Sequence, residues 1–590
     1  MQKEAMFNKC PSCGREIKGS ARFCPDCGRP LYTSQPGKTP VLNQPRSSRP
    51  TTLLTSQPGK TPVLNQPRSS GPESTSQPDF KLWLSKQKLW LSLGVISIII
   101  GVILKAFSPW IIIDPSAQSS TPGPGETKAP NGNNIGVNDG SFAPFDVWWS
   151  NKSVVDLKVR AAQELGKGNR AGAMALWQSE LNSESSDAET LIYMENQRIL
   201  ESGKLYLTLI VGVAFVASDD LAARRQLQGI YVAQHEYNSS GSSPFKLRIL
   251  IANSGSEVPY TQQVATQIAQ VASHDQTIVG VIGWLTASRS YEALPLLSKA
   301  KIPQVSPQAT DDNLTGISPY FFRIVPPNKV QAQPAAKFAE QELKVKKLVV
   351  FLDPEDNSSQ NLAHDFEVQL VKDGYPKPQE ETFTTGKTKD FLALIQNAEQ
   401  YNPDAFYFTS SDNVDTGLFQ DALPITGKFV NLPVISGDGG YVAHKNSYNR
   451  WYFTDFAYPD EWSILVKKDP PPFFQEYSAD FNPDNLPHNG PYGYTRADDH
   501  VILSYDSTQI LLTGVQMVLR ANGQKLFTPQ DLANALPQIT RSHAFQGMSG
   551  QIAFDADHDP INKAVVFLYT SADGHLRMKS VQGCFIKGCP

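Results

Sequence analysis

Residues 277–310 read TIVGVIGWLTASRSYEALPLLSKAKIPQVSPQAT. An apolar run, TIVGVIG, is followed by the helix-forming segment YEALPLLSKA and then by a second apolar run, IPQVSP. Short runs rich in β-branched residues are typical of buried strands, and a helix between two of them connects parallel strands. The stretch therefore predicts a strand–helix–strand unit within a parallel sheet that is covered on both faces.

The same alternation extends in both directions from this unit. Upstream, strands are predicted at LTLIVGVAF and KLRILIAN, each followed by a helical segment. Downstream, a second series of strands is predicted at KLVVFLD, AFYFTS and NLPVISG. Two such series in one chain indicate two lobes with a cleft where the strand ends face each other. The predicted fold class is α/β.

Several stretches of this region resemble the periplasmic binding protein type I fold, and in particular the branched-chain amino acid receptors of ABC transporters. The matching stretches are VIGWLTAS (281–288), VSPQAT (305–310), FRIVP (322–326), FQGMSG (545–550) and the pair Phe554 and Asp555. The resemblance covers about residues 205–582 and implies two doubly wound parallel sheets joined by a hinge. Within residues 204–590, lobe 1 would comprise residues 204–326 and 458–560, and lobe 2 residues 327–457 and 561–590.

The resemblance also implies a ligand site in the cleft. The family holds a ligand carboxylate with backbone N–H groups and hydroxyls at helix N-termini, which attract anions. Ala287 stands where the family often has a serine, Thr310 matches a second hydroxyl, and Asp438 matches the acidic residue that pairs with the ligand's ammonium group. The candidate ligand-binding residues are Thr286, Ala287, Ser288, Gln308, Thr310, Asn328, Asn357, Ser411, Asp438 and Gly439.

The second lobe departs from the family where aromatic residues usually stand. Asn357 and Ser411 occupy two such positions, so the cleft is expected to be more polar than a leucine pocket. A polar amino acid, a small amide or a different solute would fit it better. Two structural alternatives stay open: a Thr after a strand also serves as a helix cap, and Asp438 lies in a Gly-rich turn where Asp is common.

A membrane span is predicted upstream of this region. Residues 89–104, LWLSLGVISIIIGVIL, carry no charge, and the apolar pattern extends the predicted helix to residues 86–113. A bilayer core needs roughly 20 apolar residues in a helix. Lys81, Lys86 and Lys88 precede the uncharged run, which places the N-terminus in the cytoplasm and the binding module outside. A signal peptide is disfavoured because 88 residues precede the run.

Four cysteines near the start form two C-x-x-C pairs separated by ten residues. They are Cys10, Cys13, Cys24 and Cys27. Two such turns complete a tetrahedral thiolate site for zinc, which is the predicted cofactor. The stretch resembles the zinc-ribbon module found at the N-terminus of many bacterial membrane proteins, with residues 1–32 as the domain. In that module the metal is structural, and nucleic-acid binding is not expected here.

Three connecting segments complete the predicted organisation. Residues 33–80 contain TSQPGKTPVLNQPRSS twice without change and are predicted to be a disordered linker. Residues 114–141, rich in Pro, Gly, Asn and Ser, are predicted to be a flexible stalk. Residues 142–203 are predicted to form a hairpin of two helices that resembles one tetratricopeptide unit, with Asp187 or Ser186 capping the second helix.

Charge and cysteine usage divide the chain in the same way. The first 88 residues hold 14 Lys and Arg against 5 Asp and Glu, whereas the remaining residues hold 39 against 52. Cys584 and Cys589 are predicted to form a disulfide outside the cell, where a disulfide can persist. The two parts of the chain are therefore expected to face different surroundings.

These features predict a single-pass protein of the cell membrane that binds an amino-acid-like solute, delivers it to an ABC permease and is not an enzyme. The sequence contains no G-x-S-x-G elbow, H-E-x-x-H motif or P-loop. The alternative is a ligand sensor that signals through the cytosolic zinc ribbon to a partner. The bilayer, the solute and either a permease or a signalling protein are the predicted partners.

Overall fold

The structure is a computed structural model that describes residues 123–147, 151–215, 220–241, 243–410, 412–427, 431–441, 448–466, 469–481, 496–572 and 575–589. The predicted zinc ribbon, linker and membrane span lie outside the described residues, as does Ser411. None of the helices in the described ranges combines the length and the apolar character needed to span a bilayer.

The first lobe is built on a seven-stranded sheet in the order β1-β2-β4-β3-β5-β6-β7. Its strands are β1 (Gly125–Lys128), β2 (Asn134–Asn138), β3 (Tyr206–Val213), β4 (Lys246–Asn253), β5 (Ile278–Ile282), β6 (Gln304–Ser306) and β7 (Phe321–Arg323). The strands from β3 to β7 pair in parallel, and β1 and β2 add an antiparallel edge. The quoted stretch 277–310 supplies β5, the helix after it and β6.

The second lobe repeats this plan with a sheet in the order β16-β15-β12-β11-β10-β8-β9. Its strands are β8 (Leu348–Leu352), β9 (Gln379–Thr382), β10 (Ala405–Phe408), β11 (Val434–Ser436), β12 (Trp451–Asp455), β15 (Val565–Thr570) and β16 (Leu576–Gln582). Neighbouring strands in the part of the sheet from β12 to β9 pair in parallel. Strands β15 and β16 extend the other edge of the sheet with antiparallel pairs. A separate pair, β13 (Phe545–Gly547) and β14 (Gly550–Ile552), is antiparallel. The predicted two-lobed α/β fold is confirmed, but both sheets are mixed rather than wholly parallel as predicted.

Helices cover both sheets. They are α1 (Lys152–Gly166), α2 (Arg170–Leu181), α3 (Ala188–Ser202), α4 (Asp220–Ser239), α5 (Tyr260–His274), α6 (Ala287–Lys299), α7 (Asn328–Lys337), α8 (Asn357–Lys372), α9 (Phe391–Ala398), α10 (Asn413–Ala422), α11 (Pro472–Phe481), α12 (Asp499–Asn522) and α13 (Pro529–Ala535). Long buried α12 returns the chain to the first lobe, where its apolar residues share one core with those of β3 and α4. The chain therefore passes between the lobes more than once.

Residues 123–141 differ from the flexible stalk predicted over 114–141. They form β1 and β2, and β2 pairs with the edge of β4 at three residues. Ile135 and Val137 are almost fully buried and pack in the same apolar cluster as residues of β4. Strand addition to an exposed sheet edge satisfies the backbone groups of a segment whose own composition reads as a loop. The stalk prediction is wrong for this portion.

The helical segment contains three helices rather than the predicted two. The first predicted helix is interrupted where Gly168 adopts a positive φ of 81°. Asn169 then caps α2 by accepting the N–H of Gly172 at 3.0 Å. Asp187 caps α3 by accepting the N–H of Thr190 at 3.1 Å, as one of the two predicted caps. A Gly-Asn pair supplies both a helix end and a new N-cap, which explains the extra break.

Buried charges hold this helical segment together and join it to the first lobe. Lys158 Nζ lies 2.5 Å from Asp187 and 2.8 Å from Glu189, and all three side chains are almost fully buried. Burial lowers the pKa of Lys158, but the two carboxylates raise it above its ordinary value. Asp146 accepts two hydrogen bonds from Arg224 of α4, at 2.6 and 2.8 Å. The helices therefore form part of the binding module.

The C-terminal end of the module is closed by a covalent bond. Cys584 and Cys589 are joined by a disulfide with their Cα atoms 5.7 Å apart, within the usual range for such a bond. The short loop that they enclose follows β16.

Candidate ligand-binding site

A cavity of about 170 Å³ lies between the two lobes. The carboxyl ends of β5 and β6 reach it from the first lobe, and those of β10 and β11 reach it from the second. The residues that line it are Ala222, Leu285, Thr286, Ala287, Ser288, Gln308, Thr310, Asn328, Asp356, Ser358, Leu362, Thr409, Ser410, Asp438, Gly439 and His500. Most of these residues carry a polar side chain, so the cavity suits a polar solute.

Eight of the ten candidate residues named from the sequence border this cavity. Asn357 does not: it is exposed as the first residue of α8, and its neighbours Asp356 and Ser358 line the cavity instead. Successive residues in the first turn of a helix direct their side chains differently, so a displacement by one residue changes which side chain faces the cleft. Ser411 lies outside the described residues, but its neighbour Ser410 lines the cavity.

On the side of the first lobe, the N-terminus of α6 borders the cavity. Thr286 is the N-cap of this helix, and its side chain makes no capping hydrogen bond. The first N–H groups of a helix have no partner within the helix. The N-terminal turn at Ala287 and Ser288, which line the cavity, is therefore suited to bind an anionic group such as a carboxylate.

Packing behind this turn holds it in position. Trp284 follows β5, is almost fully buried, and donates its indole N–H to Ser254 Oγ at 3.0 Å. Arg289 of α6 donates to the same Ser254 hydroxyl at 2.9 Å. A Cβ added to Gly212 of β3 would lie 2.5 Å from the Trp284 ring, so the close approach requires glycine there.

The second lobe offers the carboxylate of Asp438 immediately after β11. Asp438 Oδ1 accepts a hydrogen bond from Gln331 Nε2 at 2.9 Å. Gln331 also donates to Asn328 Oδ1 at 2.6 Å and accepts from the Thr454 hydroxyl at 3.0 Å. Burial raises the pKa of Asp438 to about 6, against the lowering effect of the Gln331 hydrogen bond. The carboxylate is therefore ionised at neutral pH and held by a network.

Other residues of the second lobe were not anticipated from the sequence. Asp356 is the N-cap of α8 and accepts the N–H groups of Ser358 and Ser359 at 3.2 and 3.3 Å. Thr409, after β10, donates its hydroxyl to the carbonyl of Phe351 at 3.1 Å. An aspartate just before a helical pattern is a cap by its sequence, and this signal could have placed Asp356 at the cleft.

His500 was also missed, and it lies on the first lobe at the start of α12. Its Nδ1 lies 2.9 Å from Asp499 Oδ2, which also accepts Gln308 Nε2 at 2.7 Å. Asp498 lies 2.8 Å from Arg225 Nη1. Burial lowers the pKa of His500, but Asp499 and then Asp498 raise it to about 9. A cluster of three polar residues before a long apolar helix was the available signal.

Atoms of Asp498, Asp499 and His500 lie within 4.8 Å of one another, a spacing that would allow them to bind a metal ion. The two carboxylates already contact Arg225, Gln308 and the histidine itself. A guanidinium next to the cluster also disfavours a second cation. The arrangement therefore fits a network of ion pairs better than a metal site.

Sequence comparison identifies two regions of the chain. Residues 257–574 match the family model of the periplasmic binding protein, and residues 9–31 match that of a zinc-ribbon domain. A comparison with curated proteins finds no match to this chain.

Solved structures with the same two-lobed fold include a leucine binding protein, LivK, from Thermotoga maritima. It is 20% identical, with a TM-score of 0.53 over 64% of this chain and 99% of its own. The branched-chain amino acid transporter substrate binding protein LivJ from Streptococcus pneumoniae, in complex with isoleucine, is 21% identical, with a TM-score of 0.52 over 64% and 99%. An ABC transporter solute binding protein from R. palustris in complex with 4-hydroxybenzoate is 17% identical, with a TM-score of 0.52 over 64% and 98%.

Proposed function

The chain belongs to the periplasmic binding protein family, and from this we propose that it binds a small amino-acid-like solute between its lobes for delivery to an ABC permease. One observation carries the proposal: the N-terminus of α6 and the carboxylate of Asp438 border the same cavity from opposite lobes. The carboxylate and the ammonium group of an amino acid complement these two features. Such a ligand would bridge the lobes and favour their closure.

The solved structures with this fold hold two kinds of ligand, and the site distinguishes between them. Isoleucine carries an ammonium group, whereas 4-hydroxybenzoate does not. If the solute were an aromatic acid, it would supply no ammonium group to Asp438, and the buried carboxylate would have only the more distant charge of His500 to offset its own. A buried carboxylate that loses water without gaining a partner is costly. The carboxylate therefore favours an amino-acid-like solute.

Calorimetric titration of the full-length chain with the common amino acids and with 4-hydroxybenzoate tests this function. At least one amino acid is expected to bind, and Thr310→Val is expected to weaken it because the variant keeps the side-chain shape and removes a hydroxyl from the cavity wall. Binding of the benzoate together with no binding of any amino acid would contradict the proposal.

We further propose that residues 86–113 anchor the module outside the membrane, with the N-terminus in the cytoplasm. The proposal rests on the apolar run and on the lysines that precede it. Carbonate extraction of membranes tests it: the full-length chain should remain in the pellet, and deletion of residues 86–113 should release it. Protease added outside intact cells should degrade the binding module and spare the zinc ribbon.

A second candidate function is ligand sensing through the cytosolic ribbon. The zinc-ribbon match over residues 9–31 favours it, because solute delivery alone gives that domain no role. Deletion of residues 1–32 separates the two functions. Unchanged uptake of the bound solute supports delivery, whereas a lost cellular response to the solute with normal uptake supports sensing.

A further inference from the structure

His500 brings a positive charge to the cavity that the proposed amino acid backbone does not use. The residue is 8% exposed and lines the cavity from the first lobe. Its Nδ1 lies 2.9 Å from Asp499 Oδ2, so Nε2 is the ring nitrogen left for a ligand. A nearly buried donor of this kind calls for an acceptor.

The surroundings of His500 keep it protonated. Asp499 is 3% exposed and its orientation is set by Gln308, which donates to the same carboxylate oxygen at 2.7 Å. Asp498 is paired with Arg225 at 2.8 Å, so its charge is already balanced. An imidazolium whose Nδ1 forms an ion pair with a buried aspartate can donate a charge-assisted hydrogen bond to a ligand through Nε2. The acceptor that fits best is a second anion.

The cavity therefore has three polar features with separate roles. The N-terminus of α6 fits an α-carboxylate and Asp438 fits an α-ammonium group, and His500 is the third. We propose that the ligand is an α-amino acid whose side chain ends in a carboxylate, and that His500 binds this carboxylate and determines specificity; the inference rests on the proposed function. Asp499 is then a positioning residue that acts through His500.

Other side chains fit this arrangement less well. An aliphatic side chain would remove water from the imidazolium without supplying an acceptor, which is costly for a charged group. A basic side chain would place a second cation beside His500. A side-chain amide would supply an acceptor but no charge, so it should bind more weakly than the matching acid.

Titration of the full-length chain with glutamate, glutamine, leucine and glutarate near neutral pH tests the inference. Glutamate should bind most tightly. His500→Phe keeps a ring and removes the charge. It should lower the affinity for glutamate at least about 30-fold and leave the affinity for leucine unchanged or higher. Circular dichroism of the variant serves as the folding control.

The pH profile provides a second test that does not require His500 to be replaced. The ratio of glutamate affinity to leucine affinity in the unaltered chain should fall as the pH rises through about 9, where His500 loses its proton, because the two ligands share the α-ammonium group. Asp499→Asn should move this fall towards the ordinary histidine range of about 6.5, because the counter-charge is removed. A merely structural role for Asp499 would lower affinity at every pH without moving the midpoint.

The outcomes separate this inference from the function that it rests on. Binding of leucine that depends on Asp438, with no preference for glutamate, would overturn the inference and leave the amino-acid function standing. Equal binding of glutarate and glutamate, with no effect of Asp438→Asn, would overturn the amino-acid function. If glutarate and glutamate then failed to bind to His500→Phe, His500 would still be assigned as the residue that binds a carboxylate of the ligand.

Discussion

Gln331 Nε2 donates a hydrogen bond to Asp438 Oδ1 over 2.9 Å, which links the first helix of the second lobe to the carboxylate at the end of β11. Gln331 is fully buried and is itself held by Asn328 and Thr454. The position of Asp438 is therefore set by a buried amide network as well as by its own turn. This network lies beside the connection between the lobes, so lobe closure and ligand contact share the same residues.

Replacement of Asp438 should reduce ligand affinity strongly. We expect Asp438→Asn to weaken the amino acid ligand at least about 30-fold, because truncation of a buried charge pair costs about 2 kcal/mol or more. Calorimetric titration measures the change. Asp390→Asn is the matched control, since Asp390 caps α9 outside the cavity and asparagine is an equally good cap. Equal effects of the two variants would contradict the assignment of Asp438.

Ligand affinity should also fall at low pH. The pKa of Asp438 is raised to about 6, so the carboxylate takes up a proton as the pH falls through that value and no longer attracts an ammonium group. Affinity should be constant just above pH 7 and should fall about tenfold per pH unit well below 6. Gln331→Leu removes a hydrogen bond that lowers this pKa, so the ligand affinity of the variant should begin to fall at a higher pH. Titration over a pH series measures both midpoints, and identical midpoints would argue against the network.

The buried lysine of α1 should contribute substantially to stability. Lys158→Met leaves Asp187 and Glu189 buried without their cation, which should lower the free energy of unfolding by about 3–5 kcal/mol. Lys167→Met is the control, because Lys167 pairs with Glu164 on the surface and should change stability by less than about 1 kcal/mol. Urea unfolding followed by circular dichroism compares them. A small effect at Lys158 would mean that the helical segment does not depend on its buried charges.

Gly212 should be intolerant of a side chain. A Cβ at this position would lie 2.5 Å from the Trp284 ring, so Gly212→Ala should lower the free energy of unfolding by about 1–3 kcal/mol. Displacement of Trp284 should also shift the start of α6 and weaken ligand binding. Gly417→Ala is the control: no atom lies within 4 Å of its added Cβ in α10, so it should stabilise by up to about 1 kcal/mol. Thermal unfolding and titration of both variants measure these effects.

Zinc should be bound by the four N-terminal cysteines and not by Cys584 or Cys589. The full-length protein should contain one zinc per chain, and Cys13→Ser should lose it because a tetrahedral site needs four ligands. Plasma mass spectrometry measures the metal content. The double variant of Cys584 and Cys589 to serine should retain the zinc, and ligand affinity should be the same in all three proteins. Loss of zinc in the double variant would contradict this division.

Local pattern was enough to predict the sheets and the position of the cleft between them. Apolar runs followed by helical segments determine parallel strands, and the carboxyl ends of parallel strands meet at one edge of a sheet. Thr310 and Asp438 each follow such a strand, which is consistent with their place at the cleft. The family resemblance then supplied which of these polar residues to single out.

Long-range pairing decided the remainder. Residues 123–141 read as a stalk because their composition is that of a loop, and only the free edge of β4 makes strands of them. Asp499 contacts Gln308 although 191 positions separate them, because α12 returns to the first lobe only after most of the second lobe has been built. The sequence by itself therefore determined the two sheets and the residues at their strand ends. The tertiary structure alone decided that His500 joins them, since side chains distant in sequence meet only through packing.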